Sequence, residues 1–307
     1  MRILITGGTG LIGSALAAEL AGAGHEVVVL SRNPDKAVGL PAGVRAERWD
    51  GRTAQGWGHL ADVAGAIVNL AGASIAGEGF LPGRWTPERK RLILQSRLDA
   101  GRAVVEAVQS AANKPGVVVQ ASGIGLYGFT GDRPLDESAP AGNDWLAQVG
   151  VQWEAATAPV EAMGVRRAVV RNAVVFARKG GVLPLILLPF RLFVGGPIGG
   201  GGQYLPWIHL ADEVGAIRFL IEIPDARGPF NLAAPDLVTN AELSKAAGRA
   251  LRRPSWFPLP GFVMRAMFGE VSTLLLEGQR AAPRRLLELG YPFRFPTLES
   301  ALRDLTR

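Results

Sequence analysis

Cysteine is absent from the 307 residues. Its absence excludes disulfides, thiol nucleophiles and thiolate metal sites. Histidine is almost as scarce, with His25, His59 and His209 the whole complement. A histidine-built zinc site needs most of them to converge, and their spacing fits no metal pattern. No metal is expected. There is also no block of lysine and arginine of the kind that makes a nucleic-acid arm, although the net charge is +6. The positive charge is almost all arginine. It reads as a mildly basic soluble surface, or as arginines that meet the phosphates of a nucleotide.

Long apolar runs are missing too. The longest, residues 182–190, is too short to span a bilayer and contains Pro184 and Pro189. The opening Arg2-Ile3-Leu4-Ile5-Thr6 reads as a strand, not as a signal peptide. The expectation is a cytoplasmic protein, monomer or homodimer, that engages a small molecule and neither membrane nor nucleic acid. No internal repeat or low-complexity tail is visible.

What is present is an ordinary globular balance, 48% hydrophobic and 20% charged, with enough chain for one large domain or two small ones. Short apolar runs at residues 3–6, 26–30, 66–70, 117–121 and 167–175 read as strands buried on both faces. Helical patterns alternate with them. One covers residues 11–23. A longer one is opened by Thr86 as N-cap, Pro87 at the first position and Glu88 in the first turn. The alternation predicts an α/β, doubly wound parallel sheet of the Rossmann type over residues 1–176. Residues 180–206, rich in glycine and proline, read as loop. Residues 212–223 read as a helix and 230–232 as a short strand, so that 210–232 returns to the first domain. Residues 177–209 and 233–307 are left as a smaller, mostly helical, substrate-side domain.

The segment Thr6-Gly7-Gly8-Thr9-Gly10-Leu11-Ile12-Gly13 follows the first strand and opens the first helix. Gly7, Gly10 and Gly13 serve a tight turn, close approach of backbone to a pyrophosphate, and close packing of helix on sheet. Thr9, Leu11 and Ile12 belong to the same turn, where free helix N–H groups face the phosphates. The strand–turn–helix context is what this pattern needs to mean dinucleotide binding. At the end of the second strand, where an NAD site carries Asp or Glu, this chain has Ser31-Arg32. No carboxylate repels a 2′-phosphate there, and a guanidinium pairs with one, so NADP(H) is the expected cofactor. Arg97 lies within an apolar stripe of Ile93, Ala100, Val104 and Val108. Either its head snorkels to solvent, or it meets an anion in the crevice.

Taken together, the glycine turn, Asn69-Leu70-Ala71-Gly72 and Ser122 with Tyr127-Gly128 resemble extended short-chain dehydrogenases/reductases, which include the nucleoside-diphosphate-sugar epimerases and dehydratases. The similarity is closer to an atypical subgroup, NAD-dependent epimerase/dehydratase-like proteins with a C-terminal domain of unknown function. Ser31-Arg32, Ser96-Arg97, Trp153-Glu154-Ala155-Ala156, Gly195-Gly196-Pro197-Ile198, Pro206-Trp207-Ile208-His209 and Leu276-Glu277-Gly278-Gln279-Arg280 carry it, nearly end to end. The resemblance implies that the Leu70-Ala71-Gly72 turn lines the cofactor, that Arg97 touches it, and that Trp49-Asp50 lies on the adenine side.

Ser122 closes a strand and Tyr127 follows five residues later. Strand C-terminal ends are where ligands bind in open α/β sheets. Ser122 and Tyr127 are therefore the catalytic candidates, as hydroxyls for a substrate carbonyl or carbinol. The resemblance also implies a tyrosine with a lysine four residues on, which lowers its pKa for proton transfer. With Glu154 aligned to the glutamate that commonly follows this motif, the tyrosine position holds Leu146 and the lysine position Gly150. The usual relay is absent or rebuilt. Tyr127 serves a rebuilt site or packs in its turn. His209 serves it or caps the next helix. Arg171, in an apolar strand, needs an anion, from substrate or from a structural carboxylate. Gln203 and Trp207, with Tyr204, line a substrate pocket or only pack. Two functions remain: an NADP(H)-dependent oxidoreductase or epimerase-like enzyme on a small hydroxy/keto or nucleotide-sugar substrate, and a non-catalytic NADP(H)-binding sensor or partner-binding protein.

Overall fold

The fold comes from a computed structural model, which describes residues 1–37, 40–77, 79 and 82–307, with the backbone alone for Lys36. Its centre is a seven-stranded sheet in the order β10-β7-β5-β4-β1-β2-β3. The strands are β1 (Arg2–Thr6), β2 (Glu26–Ser31), β3 (Val44–Arg48), β4 (Ala66–Asn69), β5 (Val117–Gly123), β7 (Arg166–Asn172) and β10 (Gly228–Leu232). Every pairing in it is parallel. Two small parallel pairs lie outside it. One joins β6 (Pro134–Leu135) to β11 (Arg280–Ala281), the other β8 (Val174–Phe176) to β9 (Trp207–His209).

Strands β1, β2, β4 and β5 are continuous Val/Ile/Leu/Ala runs because helices cover both faces. On one face α1 (Leu11–Gly22) and α6 (Leu210–Glu222) bury Leu16, Leu20, Ile217 and Leu220 against Ile3, Ile5, Val68 and Val119. Each fully buried leucine or isoleucine of this kind contributes about 1.5–3 kcal/mol. On the other face α2 (Pro87–Ser110) buries Ala100, Ala103, Val104 and Val108 against Leu4, Ile67 and Val118. Thr86 caps α2 by accepting from Arg89 N, with Pro87 just inside. Beside α2 lie α3 (Trp145–Ala155) and the single turn α4 (Pro159–Ala162).

A second core lies among α5 (Leu183–Arg191), α7 (Asn240–Leu251) and α11 (Leu298–Leu305), with Phe176 stacked on Trp207 at its centre. Three short helices complete the C-terminal part: α8 (Gly261–Phe268), α9 (Thr273–Leu276) and α10 (Arg284–Glu288). Among the described residues no helix is long and apolar enough to cross a membrane.

Three elements depart from the sequence expectation. Residues 180–206 are not all loop, since α5 forms there. Pro184 sits in its first turn, where a missing N–H costs nothing, and Pro189 is accommodated near its end. Residues 167–175 are not one strand. β7 ends at Asn172, and β8 leaves the main sheet to pair with β9. The edge strand β3 was not anticipated, because Val-Arg-Ala-Glu-Arg alternates polar and apolar residues on a half-exposed edge.

Candidate cofactor crevice and active site

Strand order reverses at β1. The chain proceeds from β1 outward to β2 and β3, then returns to place β4 on the other side. Such a switch point leaves a crevice above the carboxyl ends of the strands. The glycine turn lies over it. Gly7 has φ +68°, and a Cβ there would press 3.0 Å from the Leu70 carbonyl carbon. A Cβ on Gly13 would overlap the Gly7 carbonyl oxygen. Gly10 N donates to Gly7 O at 3.0 Å and closes the turn. α1 then begins with no side-chain cap, so the amides of Leu11, Ile12 and Gly13 form an uncovered, electropositive helix end beside exposed Thr9. Side chains at Gly7 or Gly13 would force the turn away from the Leu70-Ala71 backbone and from the start of α1.

A buried polar row supports the turn from below. In register across the sheet stand Thr6, Asn69 and Gln120. Thr6 Oγ1 donates to Asn69 Oδ1 at 2.6 Å, Asn69 Nδ2 to Gln120 Oε1 at 2.9 Å, and Gln120 Nε2 to Ala121 O at 2.6 Å. Ala71 N donates in turn to Thr6 Oγ1 at 3.1 Å. The Leu70-Ala71-Gly72 turn is thus tied to β1 at the point where the glycine turn starts. Thr6 and Asn69 stand within the sequence motifs, but Gln120 does not, and the row itself is set by strand register. A glutamine inside the apolar run Val117–Ala121 was the available signal.

At the end of β2, Ser31 Oγ accepts from Asn33 N at 3.2 Å. Its own hydrogen stays free to donate. Arg32 is exposed and has no ion-pair partner among the described residues, whereas neighbouring Arg48 is answered by Asp35 at 3.0 Å. Gly51, at φ +83°, turns the chain beside the Arg32 stem. Asp50 organises that turn by accepting from Arg52 N and Thr53 N, and Trp49 is buried against Trp57.

Arg97 does not snorkel; it is 5% exposed. Its Nη1 donates to Ala73 O at 3.0 Å and Ile93 O at 2.9 Å, and its guanidinium lies 4.4 Å from the Trp153 ring centroid. Ser96 Oγ accepts from Ala73 N at 2.9 Å. Together Ser96 and Arg97 clamp the segment after Gly72. Burial, reinforced by repulsion from Arg89, pushes the Arg97 pKa down to about 10. Its Nε has no partner among the described residues. A buried guanidinium with no carboxylate is a place for an anion.

Ser122 is buried at the end of β5, and its Oγ has no hydrogen-bond partner among the described residues. α3 packs beside the turn that follows. A Cβ on Gly125 would meet Leu146 Cδ2 at 2.8 Å, and one on Gly150 would meet Leu126 Cβ at 3.0 Å. Leu146 therefore fills the turn face, and the Gly150 position has no room for a long cationic side chain.

The remaining candidates are committed inside the fold. Tyr127, 1% exposed, donates to Asn231 Oδ1 at 2.7 Å and accepts from Arg171 Nη1 at 2.9 Å. Burial raises its pKa despite the nearby arginine. The hydroxyl is used twice inside the fold and burial favours its neutral form, the arrangement of a tyrosine packed in its turn. Arg171 meets Glu154 on α3, so its anion is a structural carboxylate and not a substrate. Glu137 completes this network by accepting from Asn231 N and Arg285 N.

His209 is the N-cap of α6: its Nδ1 accepts from Ala211 N at 3.0 Å, and its ring stacks on Phe295. That bond leaves the hydrogen on Nε2, which lies 3.3 Å from Asp304 but too poorly aligned to be a hydrogen bond. Burial lowers the His209 pKa and favours the neutral ring. Gln203 Nε2 donates to Ile198 O and Leu275 O, and Trp207 Nε1 donates to Asp236 O from within the second core. Arg171, Gln203, Trp207 and His209 each have internal partners, as in the structural alternative for each.

Residues 3–233 match the NAD dependent epimerase/dehydratase family, and residues 259–305 match a domain of unknown function, DUF1731. The chain is 39% identical over 307 residues to the mouse (Mus musculus) epimerase family protein SDR39U1, covering 99% of each. It is 37% identical over 306 residues to the epimerase family protein YfhF of Bacillus subtilis, covering 99% of this chain and 98% of that protein. Among solved structures, human SDR39U1 (isoform 2) with NADPH superposes with a TM-score of 0.86 at 36% identity, covering 100% of this chain and 99% of that one. The UDP-glucose 4-epimerase of Thermus thermophilus in complex with NAD, at 20% identity, shares the fold with a TM-score of 0.77 over 100% of this chain and 98% of that one. This protein belongs to the NAD dependent epimerase/dehydratase family and carries the DUF1731 domain at its C-terminal end.

Proposed function

We propose that this chain binds NADP(H) in the crevice at the β1/β4 switch point and exchanges hydride between that cofactor and a small hydroxy or keto substrate. The observation that carries the reading is the glycine turn with two uncompensated arginines beside it. Gly7 and Gly13 let the turn close tightly on the Leu70-Ala71 backbone and on the uncapped first turn of α1. Among the described residues Arg32 has no ion-pair partner to compete with a 2′-phosphate, and Arg97 is buried without a carboxylate. That human SDR39U1 was solved with NADPH supports the same choice.

When bound, the nicotinamide supplies or accepts the hydride. The Ala73–Arg97 clamp would hold the turn that lines it, and Ser122, whose hydroxyl has no partner among the described residues, would donate to the substrate oxygen. No tyrosine or lysine stands where the family's usual relay would be. Ser122 then acts as a hydrogen-bond donor, and the proton is exchanged with solvent.

The test is transfer of deuterium from 4-deuterated NADPH to a panel of carbonyl and nucleotide-sugar compounds. Label in a product, lost in Ser122→Ala while NADPH still binds, supports the enzyme. A second reading, a non-catalytic NADP(H) sensor, is favoured by the commitment of Tyr127 to Asn231 and Arg171 and by Leu146 and Gly150 on α3. Tight NADPH binding with no label transfer to any compound selects it.

A further inference from the structure

The C-terminal part carries an apolar surface that no step above uses. Leu192, Phe193 and Val194 are exposed just past α5, Trp256 and Phe257 are exposed between α7 and α8, and Phe262 is exposed in the first turn of α8. Trp256 is 74% exposed and Phe262 73%, so these rings stand out from the surface instead of lining a groove. The stretches after α5 and α7 are neighbours. Trp256 N and Phe257 N both donate to Gly195 O at 3.0 Å, and Leu259 N donates to Pro197 O at 2.9 Å. A Cβ on Gly196 would overlap the Phe257 carbonyl oxygen. Large apolar side chains gathered on a surface in this way mark a contact site.

The surroundings are basic. Between Glu161 and Asp212, and again between Glu242 and Glu270, the sequence has no aspartate or glutamate. Arg191, Arg252 and Arg253 are exposed in these stretches, and the Arg253 guanidinium stands 4.4 Å from the ring centroid of Phe193. Among the described residues none of the three is in an ion pair, whereas Arg249 is answered by Glu299. Arg252 and Arg253 line a pocket of about 450 Å³ with Lys245, Arg249 and Ser255. Two copies joined through this face would set arginine against arginine, so an anionic occupant suits it better than a second copy. Protruding rings suit the boundary between headgroups and acyl chains of a bilayer, whereas an amphipathic helix of a protein partner needs a groove.

The backbone is strained to present this face. Phe193 and Arg252, at φ +63° and +53°, are two of the three non-glycine residues with positive φ among the described residues. Each stands at the end of a helix, where glycine is usual. Phe193 N donates to Phe190 O and Val194 N to Pro189 O; Arg252 N donates to Arg249 O and Arg253 N to Gly248 O. A β-carbon opposes the left-handed conformation, so stability alone favours glycine at both positions. The ring and the guanidinium held there are strain that folding does not require.

We propose that this face docks the protein on the surface of an anionic membrane, with Phe193, Trp256 and Phe257 entering the interface and the arginines holding lipid phosphates. Peripheral contact of this kind needs no spanning helix. The sequence expectation of no membrane contact rests on the missing apolar run, and a patch assembled from separated segments leaves no such run.

The experiment is flotation of the full chain with vesicles of phosphatidylcholine alone and of phosphatidylcholine mixed with phosphatidylglycerol. Wild type is expected to bind the mixed vesicles and not the neutral ones. Arg252→Gln with Arg253→Gln weakens binding about 25-fold, at about fivefold for each charge. Trp256→Ser weakens it about tenfold. Phe193→Gly and Arg252→Gly relieve the backbone, so each melts at or above the wild-type temperature while binding the vesicles less tightly. Arg227→Gln, an exposed arginine before β10, leaves binding unchanged, and all variants keep the wild-type NADPH affinity. Equal binding to both kinds of vesicle, no binding by wild type, or undiminished binding by Trp256→Ser overturns the proposal. So does displacement by soluble glycerol 3-phosphate, which would mark a free-phosphate site. A dimer of wild type in light scattering that Trp256→Ser abolishes, without vesicle binding, overturns it in favour of a second copy.

Discussion

Arg171 on β7 meets both carboxylate oxygens of Glu154 on α3, Nε to Oε1 at 2.9 Å and Nη2 to Oε2 at 3.1 Å. Both side chains are largely shielded from water, so losing one partner strands the other's charge. Arg171→Met or Glu154→Met is expected to destabilise by about 3 kcal/mol, and the double variant by less than the sum. Urea unfolding of the four proteins checks this. Additive losses would mean that the pair is not a coupled unit.

The same arginine fixes the fate of Tyr127. Its hydroxyl serves Asn231 and Arg171, so Tyr127→Phe strips the buried Asn231 Oδ1 of its donor and leaves Arg171 Nη1 only the long bond to Glu137 O at 3.4 Å. The expected cost is about 2 kcal/mol of stability. NADPH affinity and any hydride transfer stay within about twofold, since a twofold change is only ~0.4 kcal/mol. A variant that folds as stably as wild type but loses turnover would restore Tyr127 to catalysis.

Glu213 gives a pH signature. It is fully buried on α6, and burial holds its carboxyl well above the ordinary glutamate value of 4.5. Asn172 at the end of β7, in the amide orientation that satisfies its neighbours, donates to Glu213 Oε1 at 3.1 Å. Because the folded pKa is raised, the folded state binds more protons than the unfolded one. Its contribution is fully present below about pH 4.5 and is lost as pH rises through the folded pKa. Glu213→Gln keeps an acceptor for Asn172 and removes the titration. Its melting temperature is expected to exceed that of wild type at pH 8, with the difference shrinking toward pH 5. A difference independent of pH would contradict the assignment.

Gly13→Ala places a methyl group on the Gly7 carbonyl oxygen. The turn must open, so NADPH affinity is expected to fall by more than about 100-fold, equivalent to ~2.7 kcal/mol. Circular dichroism and thermal melting distinguish a distorted turn from an unfolded chain. Wild-type affinity in a folded variant would remove the turn from the cofactor site.

How far the sequence carried depended on whether a feature is local. The glycine turn, Ser31-Arg32 and the apolar strands were readable because turn chemistry and burial act on neighbouring residues. Arg171 was flagged as a cation needing an anion, but its partner sits on another element and is chosen by topology. β3 escaped because a half-exposed edge strand carries arginine and glutamate on its open face. α5 escaped because proline reads as a breaker unless its place in the first turn is known.

Selectivity for the 2′-phosphate is read by paired titrations of NADPH and NADH against wild type and Arg32→Ala. A charge-assisted contact of about 1.5–3 kcal/mol predicts NADPH bound roughly 10- to 100-fold more tightly than NADH by wild type. Arg32→Ala is predicted to lose most of that margin through NADPH alone. Equal or tighter binding of NADH by wild type would contradict the account.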